Sequence, residues 1–170
     1  LPFCIHTRYS TQQAILEDIV ASLYAQGMRK LIILSGHGGN NFKGMIRDLA
    51  FVYPDFLIIA ADWFSIVPPK DYFEAGVDDH AGESETSVMM HYHPELVNLA
   101  EAGDGESQPF AIPSLNEKVG WAPRHWDKAT VDSGVGNPKK ASAEKGERYM
   151  KPVVEKLAKL FTEVGLGSLY

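Results

Sequence analysis

Two runs of consecutive apolar residues, with a helix-like segment between them, constrain the fold of this chain more than any other feature. The runs cover Leu31–Leu34 and Phe56–Ala61. Strands that are covered on both faces show this pattern, and such strands are typical of parallel sheets. Apolar side chains between the runs recur at the helical period until Pro54, at Phe42, Met45, Ile46, Leu49 and Ala50. We therefore predict an α/β domain with a mainly parallel sheet and right-handed crossover connections.

The N-terminal segment has the pattern of an amphipathic helix over Ser10–Gln26. Ser10 and Gln13 have the spacing of a capping box, and Gly27 is a suitable residue to end the helix. Beyond the second apolar run, we predict a loop at residues 65–79 and a helix from Ser84 to His91. Residues 101–140 should be mostly loops, with a short strand near Phe110–Ile112. A final helix should begin at Ser142, with a kink at Pro152.

Composition indicates one globular domain over residues 1–170, with 45% hydrophobic and 22% charged residues. No apolar run approaches the ~18 residues of a membrane span. A net charge of -6 and scattered basic residues argue against nucleic acid as a partner. The single cysteine, Cys4, cannot form an intrachain disulfide, so a cytoplasmic location is the default expectation. Because the chain opens on Leu1 rather than Met, we expect it to lack an N-terminal portion.

The first candidate site is the segment Ser35–Asn41, which follows the first apolar run. Ligands bind outside the carboxyl ends of the strands in open parallel sheets. Glycines on either side of His37 allow the backbone to present the imidazole there as a metal ligand. Asp62, at the end of the second run, is a candidate acceptor for the other ring nitrogen. The alternative is a plain turn, with Asn40 or Asn41 as a helix cap.

Other interpretations of this glycine-rich segment conflict with the sequence. A phosphate-binding loop requires Lys followed by Ser or Thr after its glycines, and a dinucleotide site requires G-x-G-x-x-G. Neither pattern occurs here. The "HGG" triplet is also found in the oxyanion loop of serine esterases, but no G-x-S-x-G nucleophile motif is present.

The second candidate site is the segment Asp78–Ser87, "DDHAGESETS". We expect His80 to lie in the loop before the predicted helix, where it can move, and Glu85 to lie in or near the first turn of that helix. A histidine five positions before a helix-held carboxylate suits a proton shuttle beside a metal. Glu83 is explained sufficiently by the favourable interaction of a carboxylate with the helix N-terminus.

The remaining histidines and aromatic residues are weaker candidates. We interpret His91, His93, His6 and His125 as structural residues, and Cys4 as a small buried apolar residue. Tryptophans are more often core residues than ligand contacts. Trp63, Trp121 and Trp126 could each form the wall of a ligand pocket, with Trp121 or Trp126 as the better candidates.

Taken together, the two motifs resemble those of the creatininase family of metal-dependent amidohydrolases. The family carries a segment like N-G-H-G-G-N after a central strand and one like H-A-G-x-x-E-T-S before a later helix. Here they read "SGHGGN" and "HAGESETS", and the C-terminal "VDSGVGNPKKASAEKGERY" is also similar to the closing stretch of the family. The resemblance covers nearly the whole chain.

This resemblance implies a three-layer α/β/α fold, a homo-oligomer and a pair of divalent metals, which are zinc, manganese or iron. It implies that His37 and Glu85 are metal ligands. By the same resemblance, His80 transfers a proton to the leaving nitrogen. Gly38, Gly39 and Asn40 would position the loop and the substrate.

The chain departs from the family pattern at two places. Creatininase itself has Tyr-Glu after the loop histidine, where this chain has Gly38 and Gly39, so one metal-ligand carboxylate is missing and creatinine is a weaker candidate substrate. The family's first metal motif, E-x-H-G-x-H-L-P-x-x-T-D, is not found in the sequence. We expect it upstream of Leu1.

The leading functional hypothesis is metal-dependent hydrolysis of a C–N bond in a small amide, cyclic amides included. Deformylation of a formamide that is a nucleotide precursor and trimming of a small peptide are alternatives within the same family. A non-catalytic fragment or subunit that has the fold but binds no metal is an alternative from a different class.

Overall fold

The computed structural model describes residues 4–168 and residue 170. These residues form two compact units. The first, which we call the sheet unit, comprises residues 4–67 together with the described residues from 153 onward. The second, which we call the loop unit, comprises residues 68–152. The prediction of a single domain over residues 1–170 stays a prediction.

The sheet unit alternates helices and strands as predicted. Its elements are α1 (Tyr9–Ala25), β1 (Lys30–Ser35), α2 (Lys43–Val52), β2 (Leu57–Asp62) and a 3₁₀ turn (Trp63–Ser65). β1 and β2 pair in parallel, with Lys30 opposite Leu57 and Ser35 opposite Asp62. The core contains six buried side chains: Leu16, Val20, Met45, Leu49, Phe56 and Ile58. The α/β class is thereby confirmed.

Two local expectations for the sheet unit are wrong. Ser10 does not cap α1, because the helix begins at Tyr9 and Arg8 occupies the cap position without a side-chain hydrogen bond. The side chain of Gln13 instead donates to Asp48 Oδ2, at 3.2 Å. Coverage of β1 is also incomplete, since Leu34 is 50% exposed. A continuous apolar run therefore indicated the strand correctly but not the burial of every residue in it.

The first residue of β1 is bonded to the end of the last helix, α6 (Ala143–Leu166). Lys30 Nζ donates to the carbonyl oxygens of Val164, Gly165 and Gly167, at 2.6, 3.2 and 2.6 Å. Carbonyl groups at a helix C-terminus lack partners within the helix, and a lysine side chain is one way to satisfy them.

The loop unit consists of short elements joined by irregular segments. Its strands are β3 (Asp78–His80) and β4 (Val135–Gly136), which pair antiparallel. Its helices are α3 (Glu83–Tyr92), α4 (Pro113–Asn116), α5 (Trp126–Ala129) and the first ten residues of α6. Three 3₁₀ turns complete it, at Pro69–Asp71, Pro94–Leu96 and Pro138–Lys140.

The short strand predicted near Phe110–Ile112 is wrong. The backbone of Phe110 is bonded on both sides by a single side chain, since Asn116 Oδ1 accepts from its N–H at 2.9 Å and Asn116 Nδ2 donates to its carbonyl at 2.8 Å. These bonds replace those that a neighbouring strand would have made. His80 also differs from expectation, because it lies at the end of β3 rather than in a loop.

α3 and the start of α6 approach each other closely at Gly146. A Cβ atom added there would lie 2.1 Å from the carbonyl oxygen of Ser87. Ser87 is buried, and its Oγ accepts from the backbone N–H of Ser142 at 3.2 Å. This contact fixes α3, whose first turn carries the candidate site residue Glu85.

None of the helices described between residues 4 and 168 is long and apolar enough to cross a membrane.

Candidate active site

His37 lies in the sheet unit, directly after β1, on an exposed loop that is closed by its own hydrogen bonds. Nδ1 of its ring accepts from the N–H of Gly39 at 2.9 Å. Its carbonyl accepts from the N–H of Asn40 at 3.1 Å and from Ser35 Oγ at 3.3 Å. Ser35 Oγ also accepts from Asn40 Nδ2 at 3.4 Å. The side chains of Ser35 and Asn40 thus set the shape of the loop.

Gly39 is in contact with the histidine ring. A Cβ atom at this position would lie 3.0 Å from Nδ1 and 3.1 Å from Cε1 of His37, which is closer than side chains normally approach. A larger residue at position 39 would displace the ring. The glycine and the observed orientation of His37 therefore depend on each other.

Asp62 lies at the same sheet edge as this loop, because it pairs with Ser35 across the two strands. Trp63, the next residue, donates its Nε1–H to the carbonyl of Gly36 at 3.4 Å. Asn41 Oδ1 accepts from the N–H of Lys43, the first residue of α2, at 3.3 Å. The cap position itself is occupied by Phe42, so the alternative that Asn40 or Asn41 is the helix cap is wrong.

His80 and Glu85 are neighbours in the loop unit. His80 Nδ1 lies 3.9 Å from Glu85 Oε2. The same carboxylate oxygen accepts from the N–H of Ala81 at 2.7 Å. Ala81 has a positive φ of 51°, and its carbonyl accepts from Thr86 Oγ1 at 3.2 Å. The turn at Ala81 thus folds the chain so that the imidazole faces the carboxylate.

An aromatic side chain packs against His80. Its ring meets that of Trp126 edge to face, with centroids 5.0 Å apart. The guanidinium of Arg124 lies over Trp126, 4.7 Å from the ring centroid, and forms an ion pair with Asp79. Of the two preferred tryptophans, Trp126 is therefore beside the candidate site, whereas Trp121 is 85% exposed.

Glu83 has a structural role that sequence reasoning missed. Its side chain is 0% exposed. It accepts from the backbone N–H of Glu74 and Ala75 and from Lys145 Nζ. The sequence did contain one indication that Glu83 is buried, because residues two apart on a helix project in different directions. With Glu85 directed outward, Glu83 is directed inward.

The charged groups around Glu83 shift one another's ionisation. Hydrogen bonds to Glu83 and then to Glu74 raise the pKa of the Lys145 ammonium. Lys140 and Lys145 lower the pKa of the exposed Glu74 carboxyl to about 2, chiefly through their hydrogen bonds to it. Glu74 and Lys145 are therefore both charged at neutral pH.

The donors nominated from the sequence do not form a complete metal site. Among residues 4–168 and 170, no group of three or more His, Cys, Asp or Glu side chains is placed so that it could hold a metal ion. His37 belongs to the sheet unit, and Glu85 and His80 belong to the loop unit. Within the loop unit, His80 and Glu85 lie side by side. The proposed roles of His37, His80 and Glu85 stay predictions.

The weaker candidates have other surroundings. His91 stacks against Tyr92, with centroids 4.5 Å apart, and His93 pairs with Glu95 at 3.3 Å. Cys4 is exposed, so the prediction that it is buried is wrong. It precedes α1 and does not reach the core of the sheet unit.

Comparison with known proteins gives relatives of two kinds. A peptidase of the mycofactocin precursor peptide, from Mycobacterium ulcerans, is 33% identical over 131 residues, which is 74% of this chain and 45% of the relative. A creatinine amidohydrolase from Pseudomonas putida is 24% identical over 170 residues, which is 91% of this chain and 63% of the relative. The chain thus spans about half the length of the peptidase.

Solved structures agree with this result. A crystal structure of a proposed creatinine amidohydrolase from Bacteroides fragilis has a TM-score of 0.97 at 83% identity, covering 100% of this chain and 67% of the other. A creatininase crystal structure has a TM-score of 0.75 at 22% identity, covering 96% of this chain and 66% of the other. A mutant creatininase described as Zn-Zn type has a TM-score of 0.71 at 24% identity, covering 96% and 67%.

The creatininase family model, described as creatinine amidohydrolase, matches residues 1–161. The two sequence motifs lie within the matched residues, and the α/β fold is the one seen in the crystal structures of the relatives. The chain therefore belongs to the creatininase family of amidohydrolases.

Proposed function

We propose that the protein hydrolyses a C–N bond in a small amide with the help of a divalent metal. In this proposal His37 and Glu85 are metal ligands, and His80 transfers a proton to the departing nitrogen. The observation that carries the proposal is the placement of His80 Nδ1 3.9 Å from Glu85 Oε2, within a chain of an amidohydrolase family.

The metal would be zinc, manganese or iron, and family resemblance favours a pair of ions. Bound divalent ions polarise a carbonyl group and generate a nucleophile from water. Because the described residues hold no complete group of three donors, further ligands must be supplied by water or by donors outside these residues. The steps that follow concern only the side chains of this chain.

His80 has the chemistry that proton transfer requires. An imidazole gains and loses a proton near neutral pH, which a proton donor to an amide nitrogen must do in each cycle. Nδ1 of the ring faces the Glu85 carboxylate, 3.9 Å from Oε2. Trp126 limits the freedom of the ring by packing against it. The imidazole is thus held in one orientation before the substrate binds.

Glu85 is already oriented by the backbone. Its Oε2 accepts from the N–H of Ala81, so the carboxylate is directed toward the start of α3 before any ligand arrives. Orientation of a ligand group in advance reduces the entropy lost on binding. Gly39 and Asn40 make the bonds that close the loop of His37. In this proposal they position the loop and the substrate together with Gly38.

The substrate is proposed to be a small amide, and small-peptide hydrolysis is the second candidate. A cavity of about 330 Å³ begins at Glu85 and Ala81 and continues along apolar side chains that include Met89, Leu96 and Val97. An apolar cavity next to the proposed reacting group suits a peptide side chain better than it suits creatinine. The 33% identical peptidase is consistent with this candidate.

An assay of the full-length protein with added manganese, zinc or iron tests the proposal. The substrate panel contains creatinine, a formamide and short peptides. We expect turnover of one of them, and a loss in kcat of about 10²- to 10⁴-fold in His80→Ala. His93→Ala, which removes an exposed imidazole paired with Glu95, is the matched control and should retain the activity.

Metal content separates this proposal from a non-catalytic role. We expect bound metal in the purified protein and a clear reduction in His37→Ala. If no substrate is turned over and His37→Ala leaves the metal content unchanged, the enzyme proposal is wrong. Less than about a tenth of an equivalent of metal in the wild type would favour a non-catalytic subunit.

We also propose that the protein is a homo-oligomer and that it is located in the cytoplasm. The molecular mass in solution tests the first proposal, and cell fractionation tests the second.

A further inference from the structure

Glu83 is a buried carboxylate to which the proposed reaction assigns no step. Its Oε2 accepts from the N–H of Glu74 at 2.9 Å and from that of Ala75 at 2.8 Å. Its Oε1 accepts from Lys145 Nζ at 2.5 Å. Removing a carboxylate from water is costly unless such partners replace the lost hydration. Three donors converge on Glu83 and supply these partners inside the loop unit.

Lys145 links this carboxylate to the surface. Besides Glu83, its ammonium group donates to Glu74 Oε1 at 3.0 Å and to the carbonyl of Lys140 at 2.9 Å. An ammonium group has three protons to donate, so these partners occupy all of them. The side chain is 20% exposed. Lys145 is thus a fixed cation rather than a mobile surface lysine.

The amides bonded by Glu83 lie at the start of the segment that leads to His80. Five positions separate Ala75 from His80. Asp78, within this segment, accepts from the N–H of Ser84 at 3.0 Å. β3 itself has three residues, and its pairing with β4 is irregular between Asp78 and His80. Sheet pairing alone therefore fixes this segment weakly, and the bonds to the first turn of α3 add the missing constraint.

The same helical turn carries Glu85, two positions after Glu83. Glu83 holds the segment before His80 from inside the loop unit, while Glu85 faces His80 from the other side of the helix. The distance between the imidazole and the Glu85 carboxylate therefore depends on how firmly residues 74–80 are held against this turn.

We propose that Glu83 and Lys145 are positioning residues, and that their buried ion pair fixes the segment 74–80 so that His80 is held beside Glu85 and Trp126. This inference rests on the proposed function for its effect on catalysis, but its structural part can be measured independently. A displaced proton donor weakens transition-state stabilisation without removing a contact to the ground-state substrate. The loss is therefore expected in kcat rather than in KM.

Three substitutions in the full-length protein test the pair. Glu83→Gln keeps the shape and removes the charge, Lys145→Met removes the cation, and Lys145→Arg keeps it. Glu144→Gln is the matched control, because Glu144 is an exposed residue that precedes Lys145 in the first turn of α6. Circular dichroism establishes that each variant is folded. If Glu83→Gln does not fold, the comparison of Lys145→Met with Lys145→Arg still tests whether the cation is required.

Two NMR measurements do not require a substrate. Amide hydrogen exchange at Glu74 and Ala75 should become about tenfold faster in Glu83→Gln and Lys145→Met. The signals of the His80 ring protons should shift, because the ring lies against Trp126 at 5.0 Å and its position determines the ring-current effect. Glu144→Gln should change neither measurement.

With a substrate of the panel, kcat should fall about 10- to 100-fold in Glu83→Gln and Lys145→Met, while KM changes by less than about twofold. Lys145→Arg should restore most of the lost kcat.

The proposal would be overturned if Glu83→Gln and Lys145→Met fold, exchange the amide hydrogens of residues 74 and 75 at the wild-type rate, and leave the His80 signals unshifted. If these signals change while the wild type turns over no substrate, the positioning stands and only the proposed function fails. Unchanged kcat in an active enzyme would refute the catalytic part.

Discussion

Ala81 has a strained backbone conformation, and it lies in the sequence between the proposed site residues His80 and Glu85. Its φ of 51° lies in the left-handed region, which is unfavourable for a residue with a Cβ atom. Its N–H and carbonyl are nonetheless both used, by Glu85 and Thr86. These bonds hold the residue in a conformation that glycine would adopt at lower cost.

We expect Ala81→Gly to raise the free energy of unfolding by about 1 kcal/mol, because glycine adopts positive φ without steric penalty. Urea denaturation measures the effect. Ala143→Gly, in the first turn of α6, is the control and should lower stability instead, because it adds a glycine to a helix. A loss of stability in Ala81→Gly would contradict the assignment of strain to this residue.

Glu74 makes the stability of the loop unit depend on pH. Its carboxyl pKa is lowered from 4.5 to about 2 by Lys140 and Lys145. A carboxyl whose pKa is lower in the folded state stabilises the protein above its unfolded pKa, and this contribution is lost as the pH falls through the folded pKa. The contribution of Glu74 is thus complete above pH 4.5 and lost toward pH 2.

The destabilisation by Glu74→Gln should therefore be largest at neutral pH and should fade between pH 4.5 and about 2. Unfolding free energies of the wild type and the variant across this range measure it. The exposed Glu101→Gln is the control. A difference between wild type and Glu74→Gln that stays constant down to pH 2 would show that the two lysines do not act on this carboxyl.

At the residue scale, two side chains could be predicted to be neighbours where their separation along the chain alone determines how close they lie. His80 and Glu85 were nominated from a five-residue separation, and they are neighbours. Their roles remain predictions. The burial of Glu83 was not predictable in the same way, because its partners Glu74, Ala75 and Lys145 meet it only through the packing of separate elements.

The two glycines of α6 present opposite cases at the scale of the helix. Gly146 lies against the backbone of Ser87, whereas a Cβ atom at Gly165 would meet nothing within 4 Å. Both positions lie near an end of the same helix, Gly146 in the first turn and Gly165 in the last. The difference between them is a measure of the contact between α3 and α6.

Gly146→Ala should lower the free energy of unfolding by about 1–3 kcal/mol, because the added methyl group would overlap a backbone carbonyl that cannot move by itself. Gly165→Ala should raise it by about 0.5 kcal/mol, because alanine loses less backbone entropy in a helix. Thermal and urea unfolding of both variants test this pair of opposite effects. Equal effects in both variants would disprove the close approach.

Among the elements, those with strong periodicity were predicted to within one or two residues at most ends, including α1, β1, α2, β2 and α3. The prediction of a strand near Phe110–Ile112 failed, because the apolar pattern does not reveal that Asn116 bonds the backbone of Phe110. β4 was not predicted, since two residues are too few to form a pattern. Pro152 lies inside α6, as expected.

For the whole molecule, metal binding should raise the free energy of unfolding. A ligand that binds only the folded state raises the free energy of unfolding by about 2.7 kcal/mol at about one hundred times its Kd. We expect added manganese or zinc to raise the Tm of the wild type. His37→Ala and Glu85→Gln should each lose this rise, and His93→Ala should retain it.

Thermal unfolding with and without each metal measures this effect. A full metal-dependent rise in both His37→Ala and Glu85→Gln would remove these residues from the ligand set. The substrate could not be predicted from the sequence, since relatives of two kinds match the chain and it spans 45% and 63% of their lengths.

Lys30 gives the end of the last helix an unusual chemical sensitivity. Its three donor contacts to residues 164, 165 and 167 depend on a free ammonium group. Acetylation of Nζ would remove the positive charge and leave one N–H for three carbonyl oxygens. A single acyl group on the first residue of β1 would thus release a terminus more than a hundred positions away.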